Sequence, residues 1–223
     1  MIPLREAVSC FAYAKDVPRR HLSMLRSYTP ADALTIGNAA SGTIAIFLCL
    51  EYLAGEERRF LWAAFVLLPI ALVLDFLDGY VARWNRARQS ALGADLDSLA
   101  DVISFGVAPA VLGYTLGLRG GWDIVVLTYF VACGVSRLAR FNVTAAALAD
   151  AETGKVKYFQ GTPIPTSVLL VAVLAVAFWL DRVDNAVWFG DVRIGPAILH
   201  PLVLMYAVSG SAMISATLRV PKP

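Results

Sequence analysis

Apolar residues gather into six long stretches, at about 33–52, 60–83, 93–118, 122–141, 164–181 and 195–217. Between them lie Gly55-Glu56-Glu57-Arg58-Arg59, the run from Trp84 to Ser90, Arg119-Gly120-Gly121, the polar stretch 142–163, and the run from Asp181 to Arg193. Breaks of charge and glycine of this kind bound helices. A helix that crosses a bilayer needs about 20 mostly apolar residues. The pattern therefore predicts an all-α integral membrane protein with six transmembrane helices over residues 33–218. A segment 1–32 precedes this domain and a short tail, 219–223, follows it.

Basic residues set an orientation. Both ends, the break after the second stretch and the break after the fourth carry 14 of them, against five in the other three breaks. Lysine and arginine accumulate on the cytoplasmic side, so both termini are expected there. The first thirty residues lack the apolar core and small-residue cleavage site of a signal peptide. Val17 to Tyr28 mixes bases with Leu22, Met24 and Leu25, which suits either an amphipathic helix on the membrane surface or a disordered basic tail.

Composition agrees and removes alternatives. Hydrophobic residues make up 58% of the chain, charged ones 16%, and the mean hydropathy is +0.65. Soluble domains carry about 25% charged residues, so a separate soluble domain is excluded. A net charge of +2 with no basic low-complexity run argues against nucleic acid. Three scattered cysteines fit neither a disulfide framework nor a zinc site. With only His21 and His200 present, acid–base chemistry falls to carboxylates.

Those carboxylates are not scattered. The second stretch ends Asp75-Phe-Leu-Asp78-Gly79-Tyr-Val-Ala82-Arg83, and the third opens Gly93-Ala-Asp-Leu-Asp97-Ser-Leu-Ala-Asp101. Helical residues three and four apart share a face. Asp75, Asp78, Gly79 and Ala82 thus form one stripe, and Gly93, Asp97 and Asp101 another. The short connection makes the two helices antiparallel neighbours, with both acidic stripes at the cytoplasmic boundary. A lone charge deep in a bilayer costs about 2.5–3.5 kcal/mol even on lenient scales, and four crowded ones repel. Divalent cations with a taste for hard oxygen ligands, Mg2+, Mn2+ or Ca2+ rather than zinc, resolve this. Gly79, Ala82 and Gly93 leave room for a ligand close to the backbone. Asp95 lies off the Asp97–Asp101 stripe and stays outside the expected site. Two functions remain open at this point: a metal-dependent enzyme acting on phosphates, or a cation-coupled transporter.

The run Asp75-x2-Asp78-Gly79-x2-Ala82-Arg83-x9-Gly93-x3-Asp97-x3-Asp101 resembles the signature of the CDP-alcohol phosphotransferase family, D-x2-D-G-x2-A-R followed by G-x3-D-x3-D. Its spacer of nine residues exceeds the family's usual seven or eight, and the extra residue falls in the inter-helix loop. Leu34-Thr-Ile-Gly-Asn38, Leu96 to Ala110, Cys133 to Asn142 and Tyr158 to Thr166 are similar to blocks of those members that use serine as acceptor. The resemblance covers the chain from about 33 to 170.

It implies a six-helix membrane enzyme, commonly a homodimer, with its site facing the cytoplasm from a bacterial, archaeal or endoplasmic reticulum membrane. Such an enzyme moves the phosphatidyl group of CDP-diacylglycerol to the L-serine hydroxyl and releases CMP. Glycerol phosphate or inositol phosphate is the alternative acceptor. By resemblance Asp75, Asp78, Asp97 and Asp101 would hold Mg2+ or Mn2+, two ions in all, with Asp101 as general base. Gly79, Ala82, Arg83, Gly93 and Asn38 would meet the cytidine nucleotide. For serine or a phosphate the candidates are Arg137 and Arg140, whose guanidinium groups bind carboxylate or phosphate in a bidentate way, then Asn142, Ser104, Phe105, Lys157 and Gln160.

Overall fold

The computed structural model describes residues 29–55, 57–84, 91–149, 158–215 and 219–221. The expected surface helix at 17–28 and the last two residues lie outside the described residues, as does most of the spacer between Arg83 and Gly93.

Helix α1, Pro30–Gly55, starts on a reciprocal cap. The Thr29 N–H donates to Asp32 Oδ2 at 2.6 Å, and the Asp32 N–H donates to Thr29 Oγ1 at 3.3 Å. Pro30 occupies the first helical position, where its missing N–H costs nothing. Its buried stripe is Asp32, Thr35, Asn38, Ser41, Gly42, Ala45 and Cys49, small and polar. Ile36, Ile44, Phe47 and Leu50 point outward. That inverts a soluble helix, as expected where lipid surrounds the protein and small residues let backbones approach.

Helix α2, Arg58–Trp84, packs along α1 and buries Leu61, Ala64, Phe65, Leu68 and Ala71. The next rod is composite. Helix α3, Ala91–Asp101, passes into a π-helical segment, Val102–Val107, and then α4, Ala108–Thr115. It is the most enclosed of the long elements, 56% buried over its apolar window against 33% or less in the other three long helices. Helix α5 is Gly121–Ala149. A short 3-10 turn, Ile164–Ser167, leads into α6, Val168–Trp179, and another, Pro201–Val203, into α7, Leu204–Ile214.

Four of these elements, Pro30–Gly55, Arg58–Val81, Gly93–Thr115 and Gly121–Val143, are long and apolar enough to cross a membrane. Such helices, with large apolar side chains on their outer faces, mark an integral membrane protein. The fifth and sixth stretches differ from expectation. Their helical parts, Ile164–Trp179 and Pro201–Ile214, are short. The start of the sixth stretch is spent on a hairpin: β2, Val192–Ile194, pairs antiparallel with β3, Ala197–Leu199. Gly195, at φ 62°, and Pro196 make its turn. A positive φ favours glycine, and proline's fixed ring blocks helix continuation. Apolar composition alone does not reveal this, since Ile194, Ala197, Ile198 and Leu199 suit strand and helix equally.

Hydrogen bonds sort the helix ends into two groups. At one end Arg58 pairs with Asp181, the Asp184 N–H donates to Leu116 O at 2.9 Å, and Trp122 Nε1 donates to Ile194 O at 2.9 Å. At the other end the Thr162 N–H donates to Ala212 O at 3.2 Å. There, too, β1, Tyr158–Gln160, pairs antiparallel with β4, Arg219–Pro221. The described chain therefore runs back and forth six times between two ends.

The first end is pinned by Asp123, fully buried near the start of α5. Its Oδ1 accepts the His200 N–H at 2.8 Å, and its Oδ2 accepts the Gly120 N–H at 2.8 Å and lies 2.5 Å from His200 Nδ1. Asp123→Ala would leave two part-buried backbone donors and the His200 ring without their partner, a loss on the order of 2–3 kcal/mol. A clearly lower midpoint of thermal unfolding in detergent is the expected result.

Candidate active site

The second end holds the chemistry. Helix α2 brings Asp75 towards its C-terminal end, and α3 brings Asp97 from its second half and Asp101 as its last residue. One carboxylate oxygen from each lies within 4.8 Å of the other two. Asp101 is buried, and Asp97 Oδ1 is buried with no hydrogen-bond partner. Three carboxylates that close could hold a cation between them, and an all-oxygen set suits a hard divalent ion. The residues present fit such a metal.

Asp78 stands apart from that trio. It is 6% exposed, and its Oδ2 accepts the Thr35 hydroxyl from α1 at 2.6 Å. Thr35 lies three residues before Asn38 on the buried stripe of α1. That spacing is visible in the sequence, but nothing there says which carboxylate the stripe faces.

Asn38 meets Asp101 directly: its Nδ2 donates to Asp101 Oδ1 at 3.3 Å. Ser104 Oγ donates to the Asn38 backbone carbonyl at 2.9 Å. The helices touch there because Gly42 has no side chain. A Cβ on it would stand 2.5 Å from Ser104 Oγ and 2.7 Å from Ser104 Cα. Ser104 thus spends its hydroxyl on bracing α1, and Phe105 is wholly buried in the hydrophobic core. Three and four residues after Asp101, both would share its face if the α-helix continued. The π-helical segment, with its i→i+5 bonding, widens the turn and changes which residues stack beneath Asp101. Such segments recur at functional sites, and no residue type in Val102–Val107 announces one.

Gly79 leaves open space where a Cβ would stand. Gly93 is part-exposed in the opening turn of α3. On α5, Arg137 has a buried Nε without a hydrogen-bond partner, and Arg140 follows three residues later. Asn142 Oδ1 accepts the Ser98 hydroxyl at 3.1 Å, and its Nδ2 donates to Asp95 Oδ1 at 3.5 Å. Asp95, off the stripe of Asp97 and Asp101, is thereby joined to a candidate residue of another helix. Lys157 and the side chains of Ala82, Arg83 and Gln160 lie outside the described residues.

Residues 28–210 match the model of the CDP-alcohol phosphatidyltransferase family. The chain belongs to that family. Among its relatives is the CDP-diacylglycerol–serine O-phosphatidyltransferase of Saccharomyces cerevisiae, 41% identical over 205 residues, covering 91% of this chain and 74% of the relative. The archaetidylserine synthase of Methanothermobacter thermautotrophicus is 39% identical over 143 residues, 63% of this chain and 55% of that protein. The Bacillus subtilis CDP-diacylglycerol–serine O-phosphatidyltransferase is 34% identical over 155 residues, 68% of this chain and 77% of the relative. Family membership settles the choice between enzyme and transporter in favour of the enzyme.

Proposed function

We propose that the protein transfers the phosphatidyl group of CDP-diacylglycerol to the hydroxyl of L-serine and releases CMP. The convergence of Asp75, Asp97 and Asp101, with Asn38 holding the last of them, carries the reading. The names of the yeast and Bacillus relatives support serine as acceptor, and the archaeal relative's name refers to the same head group on another lipid.

Asp75, Asp97 and Asp101, with Asp78 beside them, are the residues that would hold Mg2+ or Mn2+, two ions in this reading. When bound, the metal neutralises the pyrophosphate and the departing CMP. Asp101 accepts the proton of the serine hydroxyl. The oxygen so freed forms a bond to the phosphorus that bears the lipid, and the bond from that phosphorus to the CMP oxygen breaks. Asn38 holds Asp101 in place through the transfer, since orienting the reactants is itself worth several kcal/mol. Gly79 and Gly93, with Ala82 and Arg83 of the same sequence motif, are assigned to the nucleotide. Arg137 and Arg140 face the serine carboxylate or the lipid phosphate, with Asn142, Lys157 and Gln160 nearby in sequence blocks of the same kind.

In this reading all six passes cross the membrane as the domain 33–218, with α6 and α7 extended by their 3-10 turns. The segment 1–32 and the tail 219–223 lie in the cytoplasm, as the balance of basic residues requires, and so does the site. Two copies associate as a homodimer.

Purified protein given CDP-diacylglycerol and L-serine is expected to release CMP in proportion to serine. EDTA abolishes the release, and added Mg2+ or Mn2+ restores it. CMP release that needs glycerol phosphate or inositol phosphate instead of serine would overturn the choice of acceptor.

A further inference from the structure

Asn38 is fully buried, yet only half of its side-chain amide is used. Nδ2 donates to Asp101 at 3.3 Å, while Oδ1 has no hydrogen-bond partner. The amide has no freedom to turn around, because a carboxylate only accepts and the nitrogen must face it. What remains is a buried acceptor beside the reacting centre, and such a group left unmet costs about 1–3 kcal/mol. Buried polar atoms are nearly always paired, and an exception calls for a reason.

The neighbouring hydroxyl donors are already committed. Thr35 donates to Asp78, Ser41 Oγ to Gly37 O at 2.9 Å, and Ser104 to the Asn38 carbonyl. The missing partner must itself be a hydrogen-bond donor or a cation, which rules out phosphate oxygens and carboxylates. Opposite, on α5, Arg137 presents the converse, a buried donor without an acceptor, and it is near enough to feel the Asp101 charge. One unmet acceptor and one unmet donor flank the same carboxylate. An amino acid zwitterion satisfies both.

The geometry points to Asn38 Oδ1 as the acceptor for the ammonium of the amino-alcohol substrate, which makes Asn38 a specificity-determining residue. The inference rests on the proposed serine transfer. Hydroxyl and ammonium of serine sit on adjacent carbons, just as Asp101 and Asn38 Oδ1 are separated by one amide group. A hydroxyl placed at Asp101 thus brings the ammonium to Asn38. A site built to pair a polar group also rejects analogues that lack it far more strongly than a mere apolar fit does.

The test compares wild type, Asn38→Ala and Asn38→Asp in steady state. Loss of a hydrogen bond to a charged group predicts a serine KM about tenfold to a hundredfold higher in Asn38→Ala, with the KM for CDP-diacylglycerol and the affinity for Mn2+ unchanged. Asn38→Asp keeps an acceptor but cannot donate to Asp101, so it retains a serine KM near wild type and loses kcat. A higher KM for CDP-diacylglycerol or weaker Mn2+ binding in Asn38→Ala would assign the atom to the nucleotide or the metal and overturn the proposal. So would an equal rise of serine KM in both variants.

A second arm needs no variant. L-alanine keeps the ammonium and carboxylate but lacks the hydroxyl, and propanoate lacks the ammonium as well. Wild type is expected to be inhibited by alanine well below the concentration at which propanoate acts, and equal inhibition overturns the proposal. Absence of serine-dependent CMP release from wild type is a different result, and it would overturn the proposed function itself.

Discussion

Asp101→Asn is expected to lower serine-dependent CMP release by about a thousandfold, within the range general-base catalysis contributes, while CDP-diacylglycerol remains bound. Asparagine keeps the size of the side chain and an oxygen for a cation, but its amide cannot take the proton from serine. It also turns a good contact into a poor one. Asn38 Nδ2, which donates to Asp101 Oδ1 at 3.3 Å, then meets an amide that accepts through one oxygen only. The measurement is CMP release under saturating serine, set beside binding of radiolabelled CDP-diacylglycerol to the same preparation. Turnover that survives at more than a tenth of wild type would remove Asp101 from the role of base. Asp75→Asn provides the contrast, since its expected loss is of metal affinity first and is partly recovered by raising Mn2+.

The second large effect comes from a residue with no chemistry at all. Gly42→Ala places a methyl group 2.5 Å from Ser104 Oγ and 2.7 Å from Ser104 Cα. A hydroxyl could rotate away, but a backbone atom cannot, so α1 must move off the π-helical segment. Asn38 sits one turn before Gly42 on the same helix, and its 3.3 Å hydrogen bond to Asp101 shifts with it. Displacement by about 1 Å at a reacting group costs on the order of a hundredfold in rate. The expected outcome is a protein that still extracts into detergent as a folded species, with kcat about a hundredfold lower. Ser104→Gly in the same chain removes the side-chain half of the clash and leaves the backbone half, so recovery should be partial. Full activity in Gly42→Ala would mean that the close approach of α1 to the π-helical segment does not position the base.

The two predictions divide along what could be read at each level. Asp101 is legible from spacing alone: Asp97 and Asp101 stand four apart, and Asp75 and Asp78 three apart, so helical geometry has to put each pair on one face. The importance of Gly42 is not legible. It is one small residue on a stripe of small residues, and only the position of Ser104 on another helix gives it a job. The same holds for Asn38, whose sequence block stands out but whose partner does not. Asp78 shows the limit from the other side. The stripe sets it beside Asp75, while Thr35 on α1 draws it into a hydrogen bond of its own. Phe105 is expected near the site by α-helical spacing and lies in the core instead, because the turn after Asp101 is wider than an α-turn.

The sequence by itself determined that this is an apolar helical membrane protein, which family it belongs to, and that two adjoining helices each carry an acidic stripe. Those are properties of composition and of spacing within one segment, and a helix transmits its own period faithfully. The tertiary structure alone decided which polar atoms across different helices meet, where a helix widens, and where an apolar run becomes a hairpin. Each of those depends on interactions between residues far apart in the chain, such as Asn38 and Asp101 or Gly42 and Ser104. No local pattern encodes such pairs, since the energy that selects them arises only when the two surfaces are brought together.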